Sequence, residues 1–227
     1  MSQPLAVYLE LGRKRTFAGA VEWPGWCRSG RAETEAVATL LAYSPRYARL
    51  VEAAGLMAPV GADLDVLERL TGGSGTDFGA PSVAPTADDR PLDDAELNRQ
   101  SRLLSASWQA FDIAWREADE AGIELSKGPR GGGRDLETIQ MHVLEAEEAY
   151  LSRLGSRVPR LAGASVPVRI GAQREAILAT LAARARGEPI SDPSSVERRW
   201  SPRYTLRRAA WHVLDHAWEI EDRSTPG

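Results

Sequence analysis

The sequence predicts an α+β protein, in which a small N-terminal β-β-α-β domain precedes an all-α antiparallel four-helix bundle. Three observations support this class. Strand-like and helix-like segments alternate over roughly the first 70 residues, a stretch rich in Gly, Ser, Pro and Asp follows, and four long segments with helical apolar spacing come after it. We therefore expect a domain at residues 1–71, a linker or long loop at 72–91 and a bundle at 92–227.

Two runs near the N-terminus have the composition of strands. Leu5 to Leu11 reads LAVYLEL and Thr16 to Trp23 reads TFAGAVEW, with a basic turn between them. A helical pattern follows Gly30, and Pro45 predicts a break or kink within it, because proline lacks the amide hydrogen that a helix interior uses. A third run, Leu64 to Leu70, is expected to return as a strand. The helix would then cover one face of the sheet.

Four helical segments are expected in the C-terminal part, which is the number that a compact antiparallel bundle needs. They are predicted at about Asp93–Ala121, from an opening at Gly131, at about Pro167–Arg186 and at about Pro202–Asp222. Asp135 can cap the second segment, because its carboxylate can accept hydrogen bonds from backbone N–H groups. Each segment carries an apolar stripe, so each can turn one face to a shared core.

Composition limits the classes of function. The chain has a formal net charge of −4 and a pI near 5.5, so no nucleic-acid partner is expected. No window approaches the ~20 apolar residues of a membrane span. Cys27 is the only cysteine, which rules out an intramolecular disulfide, fits a reducing compartment and is expected to be a structural thiol. We therefore expect a cytoplasmic protein with neither a nucleic-acid nor a membrane partner.

The three histidines of the chain are predicted to face the interior of the bundle. His212 and His216 lie four residues apart on one predicted helix, so their imidazoles stack on one face. His142 lies between apolar positions of the second bundle helix. Three neutral imidazoles would bind a divalent metal such as Zn²⁺, Ni²⁺ or Fe²⁺ and leave positions open for water or substrate. The pattern alone leaves open the alternative of three hydrogen-bonded core histidines.

Carboxylates that orient ligating imidazoles are also expected near such a metal. The candidates are Asp215 and Glu219 on the fourth bundle helix and Glu145 on the second. A solvated helix face with i,i+4 ion pairs is the alternative for these acids. Trp211 and Trp218 flank the histidine pair and are expected in the core, with the wall of a pocket as the alternative.

The segments DLETIQMHVLEAEEAYL, around His142, and HVLDHAWEIEDR, which begins at His212, resemble the DinB superfamily of four-helix bundles over about residues 91–222. That superfamily is related to the mycothiol- and bacillithiol-dependent transferases and the maleylpyruvate isomerases. Its metal ligands are one His on the second helix and a His-x₃-His pair on the fourth. The resemblance therefore implies that His142, His212 and His216 are metal ligands, and that the metal can bind a low-molecular-weight thiol. It also implies that the protein can form a homodimer.

The N-terminal stretch TFAGAVEWPGWCRSGRAETEAVATLL resembles HicB-like antitoxin domains, over about residues 1–70. This resemblance implies a β-β-α-β unit and carries no catalytic motif. The sequence lacks an identifiable DNA-binding helix pair, which argues against a toxin–antitoxin role.

Three hypotheses of function follow. The first is a metal-dependent enzyme, of the thiol-transferase or isomerase class, that acts on an unknown electrophilic small molecule. The second is a non-catalytic binding or stress-response module in which the metal is structural. The third is an antitoxin-like regulator, which would need a DNA-binding element or a toxin partner.

Overall fold

A computed structural model describes residues 4–59, 63–127, 133–189 and 199–224. The predicted α+β class is confirmed, because a four-stranded sheet in the N-terminal part is followed by a helical region. The sheet has the order β3-β2-β1-β4, in which β1 pairs antiparallel with β2 and parallel with β4. The strands are β1 (Leu5–Leu11), β2 (Thr16–Ala20), β3 (Cys27–Gly30) and β4 (Leu64–Thr71).

The predicted strands are present, and β3 is an additional strand that the sequence pattern did not indicate. Its four residues contain one buried side chain, Cys27, so no apolar alternation marks it. Backbone pairing with β2 defines it instead. The second predicted strand ends early, at Ala20, because the chain turns back and the Ala20 amide bonds the Trp26 carbonyl. The turn between them contains Pro24 and Gly25.

Two helices cover one face of this sheet, α1 (Glu33–Ala42) and α2 (Ser44–Ala53). The predicted break is confirmed, because Pro45 lies in the first turn of α2. Backbone amides in the first turn have no partner within the helix, so the missing amide hydrogen of proline costs no helical hydrogen bond there. Leu40 and Tyr47 pack with Val7 and other buried residues of the sheet. The N-terminal part therefore has a two-layer core.

Residues 72–91, predicted as a linker or long loop, contain two short helices. These are α3 (Ser74–Phe78) and a 3-10 helix (Thr86–Asp89). The segment is fixed to β1 by Glu10, whose fully buried carboxylate accepts hydrogen bonds from the amides of Ser82 and Val83. Such buried bonds hold the segment against the sheet.

Four long helices follow, and each matches a predicted segment. They are α4 (Asp94–Glu120), α5 (Leu136–Leu154), α6 (Val166–Ala185) and α7 (Pro202–Ser224). Asp135 caps α5 as predicted, because its carboxylate accepts a hydrogen bond from the Thr138 amide at 2.7 Å. The predicted opening at Gly131 lies outside the described residues.

Helix α7 belongs to two hydrophobic cores. One core joins it to α4, α5 and α6 and includes Phe111, Val143, Ile177 and Val213. The other joins α4 and α7 to the sheet and to α1 and α2, and includes Trp218. Helix α7 is therefore held on both sides, which fixes the directions of its remaining side chains. Within the described ranges no helix is both long and apolar enough to cross a membrane.

Candidate metal centre

Helices α5 and α7 bring the three histidines together. Their candidate ligand nitrogens all lie within 4.8 Å of one another. The Nε2 atoms of His142 and His212 are 3.1 Å apart, and the ring of His216 lies 4.7 Å from that of His212 between centroids. His212 and His216 are buried, whereas His142 is partly exposed. Three nearby imidazoles that could hold a metal ion therefore face one point.

The spacing of two of these nitrogens, on His142 and His212, fits a metal. Two nitrogens bound to one ion at about 2.0–2.1 Å lie about 2.8–3.4 Å apart when the angle between the bonds is 90° to tetrahedral. The observed 3.1 Å between His142 and His212 falls in this range. A set of three neutral imidazoles suits Zn²⁺, Ni²⁺ and Fe²⁺ and supplies fewer ligands than these ions take.

The surroundings keep two of the imidazoles in the neutral form that binds metals. Burial, together with the charges of Arg134 and His216, lowers the pKa of His142 to about 4, although Glu219 acts in the opposite direction. Burial also lowers the pKa of His212 well below its usual value, together with the charges of the other two histidines. At neutral pH these nitrogens are therefore free to donate electron pairs to a metal.

Glu219 orients one of the histidines. Its Oε2 atom accepts a hydrogen bond from Nδ1 of His216 at 2.8 Å, and its Oε1 accepts one from Arg223 at 2.7 Å. Burial raises the pKa of Glu219, but the hydrogen bonds from His216 and Arg223 outweigh it, so the pKa is lowered. When Nδ1 of His216 donates this hydrogen bond, its Nε2 is the nitrogen that could coordinate a metal.

The other two predicted carboxylates lie elsewhere. Asp215 accepts a hydrogen bond from Arg28 of β3 at 2.9 Å, because its position on α7 turns it toward the sheet. Glu145 is exposed on α5 and, within the described part of the chain, makes no hydrogen bond with a histidine. Of the three acids, the structure therefore brings only Glu219 to the histidines.

A cleft of about 360 Å³ lies between α7 and the sheet, and its described lining contains none of the three histidines. Its lining includes Glu219, the aromatic rings of Phe17 and Trp211, and the cation Arg15. Glu219 connects it to the site, because the same carboxylate binds His216. The thiol of Cys27 also lines the cleft, but burial raises its pKa to about 12, so it stays protonated and unreactive.

The two tryptophans predicted to be core residues are both buried and both line this cleft. Trp218 packs in the core that α7 shares with the sheet. Trp211 meets Phe17 edge to face, with 6.0 Å between ring centroids. Trp211 and Trp218 are therefore buried residues that also line this cleft.

Sequence reasoning missed two residues beside the histidines. The ring of Tyr150 lies perpendicular to that of His212, with 5.8 Å between centroids. The guanidinium of Arg208 lies over the ring of Trp211, 4.8 Å from its centroid. Helical spacing could have indicated both, because Arg208 precedes His212 by one turn and Tyr150 lies two turns beyond His142.

No protein-family model, curated protein or solved structure matches this chain. The chemistry of the site therefore has to follow from its residues. These residues provide three convergent imidazoles, one orienting carboxylate and an adjacent cleft.

Proposed function

We propose that this protein is a metal-dependent enzyme, in which a metal bound by His142, His212 and His216 serves a thiol-transferase or isomerase reaction on an electrophilic small molecule. The observation that carries the proposal is the convergence of three imidazole nitrogens within 4.8 Å beside a cleft. A structural zinc site normally has four protein ligands, whereas a catalytic site keeps a position open. The set of three histidines favours the catalytic type.

The proposal includes a DinB-like four-helix bundle formed by α4 to α7. Two observations support it: the four helices share one hydrophobic core, and the histidines lie on the second and fourth of them in the order His, then His-x₃-His. A HicB-like assignment of the N-terminal part is proposed on the strand and helix order of residues 5–71. The N-terminal part would then supply one wall of the substrate cleft.

A bound divalent metal would lower the pKa of a coordinated thiol or water and polarise a substrate carbonyl. The residues of the chain do the rest. Glu219 holds the imidazole of His216 in one orientation and tautomer. Trp211 and Tyr150 cover neighbouring ring faces and restrict water around His212. The cleft, which Glu219 links to His216, would hold the electrophilic substrate.

The test is the metal content of the purified protein, measured by elemental analysis beside a His212→Ala, His216→Ala double variant. Glu145→Ala is the matched control, because its exposed side chain bonds none of the histidines in the described part of the chain. We expect about one equivalent of Zn, Ni or Fe in the wild type and the control, and none in the double variant. Absence of metal from the reloaded wild type would contradict the proposal.

The reaction class is tested next, by following thiol consumption with the metal-loaded protein and a panel of electrophiles. Turnover that disappears on metal removal supports the enzyme. Retention of the metal without binding of any thiol would instead favour the non-catalytic module, in which the ion only stabilises the helices.

A further inference from the structure

Arg208 lies on α7, next to two aromatic residues that contact His212. It precedes His212 by about one helical turn on α7, so the two side chains lie on the same side of the helix, about 6 Å apart along its axis. Its guanidinium lies over the ring of Trp211 and 5.8 Å from the centre of the Tyr150 ring. The Tyr150 ring in turn contacts His212.

The hydrogen-bonding groups of Arg208 are largely unused. Its Nε and Nη1 atoms are shielded from solvent and have no hydrogen-bond partner in the described part of the chain. Its Nη2 makes a 3.5 Å contact with the hydroxyl of Tyr150, which is at the limit of a hydrogen bond. Among the residues that the structure describes, no carboxylate forms an ion pair with Arg208. A shielded guanidinium with free N–H groups is unfavourable unless another molecule satisfies it.

In two neighbouring arginines on α7, every guanidinium nitrogen has a hydrogen-bond partner. Arg207 binds both carboxylate oxygens of Asp88 and two backbone carbonyls. Arg203 binds Glu96 and two backbone carbonyls. The guanidinium groups of Arg203 and Arg207 therefore have partners within the fold, whereas two nitrogens of Arg208 have none among the described residues.

The two acids on α7 nearest the histidine pair are already in use. Glu219 accepts hydrogen bonds from His216 and Arg223, and Asp215 accepts one from Arg28. The aromatic faces of Trp211 and Tyr150 stabilise the charge of the stacked guanidinium but accept none of its in-plane N–H bonds. Within the described residues these acids leave Arg208 without an ion-pair partner, and an anionic ligand would satisfy its free N–H groups.

We propose that Arg208 binds a carboxylate of the ligand whose other end is held at the three histidines. The planar guanidinium matches a carboxylate, which it can bind through two parallel N–H bonds. One helical turn between Arg208 and His212 suits a short ligand, in which a few bonds separate the metal-binding atom from the carboxylate. This inference rests on the proposed metal centre and adds a substrate class to it.

The experiment uses full-length protein loaded with Co²⁺, because a thiolate bound to Co²⁺ gives a charge-transfer absorption band. The probes are 3-mercaptopropionate and its neutral isostere 3-mercaptopropionamide. In the wild type we expect the acid to bind about tenfold or more tightly than the amide. In Arg208→Gln this preference should disappear while cobalt content and affinity for the amide stay unchanged, and Arg208→Lys should retain part of it.

Arg116→Gln is the matched control. It removes the same charge from an exposed position on α4, where Arg116 makes a 4.0 Å ion pair with Glu120, so the preference for the acid should persist. Thermal unfolding of each variant shows that it is folded.

The outcomes separate the two proposals. A wild type that takes up no cobalt contradicts the metal centre itself. A wild type that takes up cobalt and binds the two probes equally, or binds neither, overturns the role of Arg208 alone. That role is also overturned if Arg208→Gln weakens binding of the acid and the amide to the same extent, because such a result indicates a structural role.

Discussion

Two buried polar clusters lie along α7, and they differ in the partners that their polar atoms have within the protein. In the first, Arg207 and Asp88 pair through two hydrogen bonds of 2.7 and 2.8 Å, and the remaining guanidinium donors bind backbone carbonyls of Ala20 and Val21. In the second, the nitrogens of the three histidines point at one another across 3.1 to 4.8 Å. The nitrogens of Arg207 in the first cluster are paired within the protein, whereas the three imidazoles of the second could hold an ion.

We infer from this difference that the first cluster stabilises the fold and that the second serves function. The pair of Asp88 and Arg207 joins the segment at residues 72–91 to α7 and to β2, so it fixes the N-terminal part against the long helices. The histidine cluster joins α5 to α7 through nitrogens whose roles depend on their protonation. We expect mutations in the first cluster to change stability and mutations in the second to change metal binding.

The largest effect is expected from breaking the first cluster. Asp88→Ala leaves the buried cation of Arg207 without its carboxylate, so the free energy of unfolding should fall by about 3–5 kcal/mol. Urea unfolding measures this, with Asp94→Ala on the exposed first turn of α4 as a control that should change by about 0.5 kcal/mol or less. A loss below about 1 kcal/mol for Asp88→Ala would contradict the assigned role.

The second effect concerns stability gained from metal. Because the ion binds only the folded site, a free metal concentration about a thousandfold above Kd should raise the free energy of unfolding by about 4 kcal/mol. His212→Ala should abolish this gain, since it removes one of three ligands. Urea unfolding with Zn²⁺ and with a chelator gives the difference. Equal stabilisation of wild type and variant would show that the metal binds elsewhere.

A smaller effect tests the carboxylate that orients His216. Glu219→Gln should weaken metal affinity about 10- to 100-fold, because it removes the charge that holds the proton on Nδ1. Asp215→Asn is the matched control on the same helix, since Asp215 pairs with Arg28 rather than with a histidine. Competition with a chromophoric chelator measures both affinities. If the two substitutions weaken binding alike, general charge rather than orientation is responsible.

The smallest effect is expected at Glu147, a third buried polar group, which in the described part of the chain has a hydrogen-bond partner for only one of its carboxylate oxygens. Glu147 is buried on α5 and meets Arg174 at 3.4 Å, while its Oε2 has no hydrogen-bond partner among the described residues. Burial raises the pKa of Glu147 to about 7, although Arg174 opposes this. The pKa of Glu147 is higher in the folded protein than in the unfolded chain. The free energy of unfolding therefore has its full contribution from Glu147 below about pH 4.5 and loses it as the pH rises through about 7.

Glu147→Gln should therefore abolish the decrease in stability that ionisation of Glu147 causes at high pH. The variant should be more stable than the wild type by about 1–2 kcal/mol at pH 8, and the difference should vanish or reverse near pH 4.5. Urea unfolding at the two pH values measures it. A wild type whose stability relative to the variant rises between these pH values would contradict the direction of the pKa shift.

Local patterns in the sequence were enough to place most elements and all three histidines. The first strand, Leu5–Leu11, was predicted at its observed bounds, because apolar composition marks it. Helical spacing alone put His212 and His216 on one face of α7. These features depend on residues close together in the chain.

What the sequence did not indicate depends on distant partners. Strand β3 exists through its pairing with β2, and its residues lack an apolar pattern. The pair of Asp88 and Arg207 joins positions 119 residues apart. The sequence also did not indicate whether Arg208 has a hydrogen-bond partner, because that depends on which acids the fold brings close to it.

The most direct test of the central claim is X-ray absorption at the edge of the metal bound to the purified, reloaded protein. We predict one metal per chain with three imidazole nitrogens at about 2.0–2.1 Å and lighter atoms from solvent or ligand in the remaining positions. A metal with fewer than three imidazole ligands, or a spectrum unchanged in His142→Ala, would contradict the proposed metal centre.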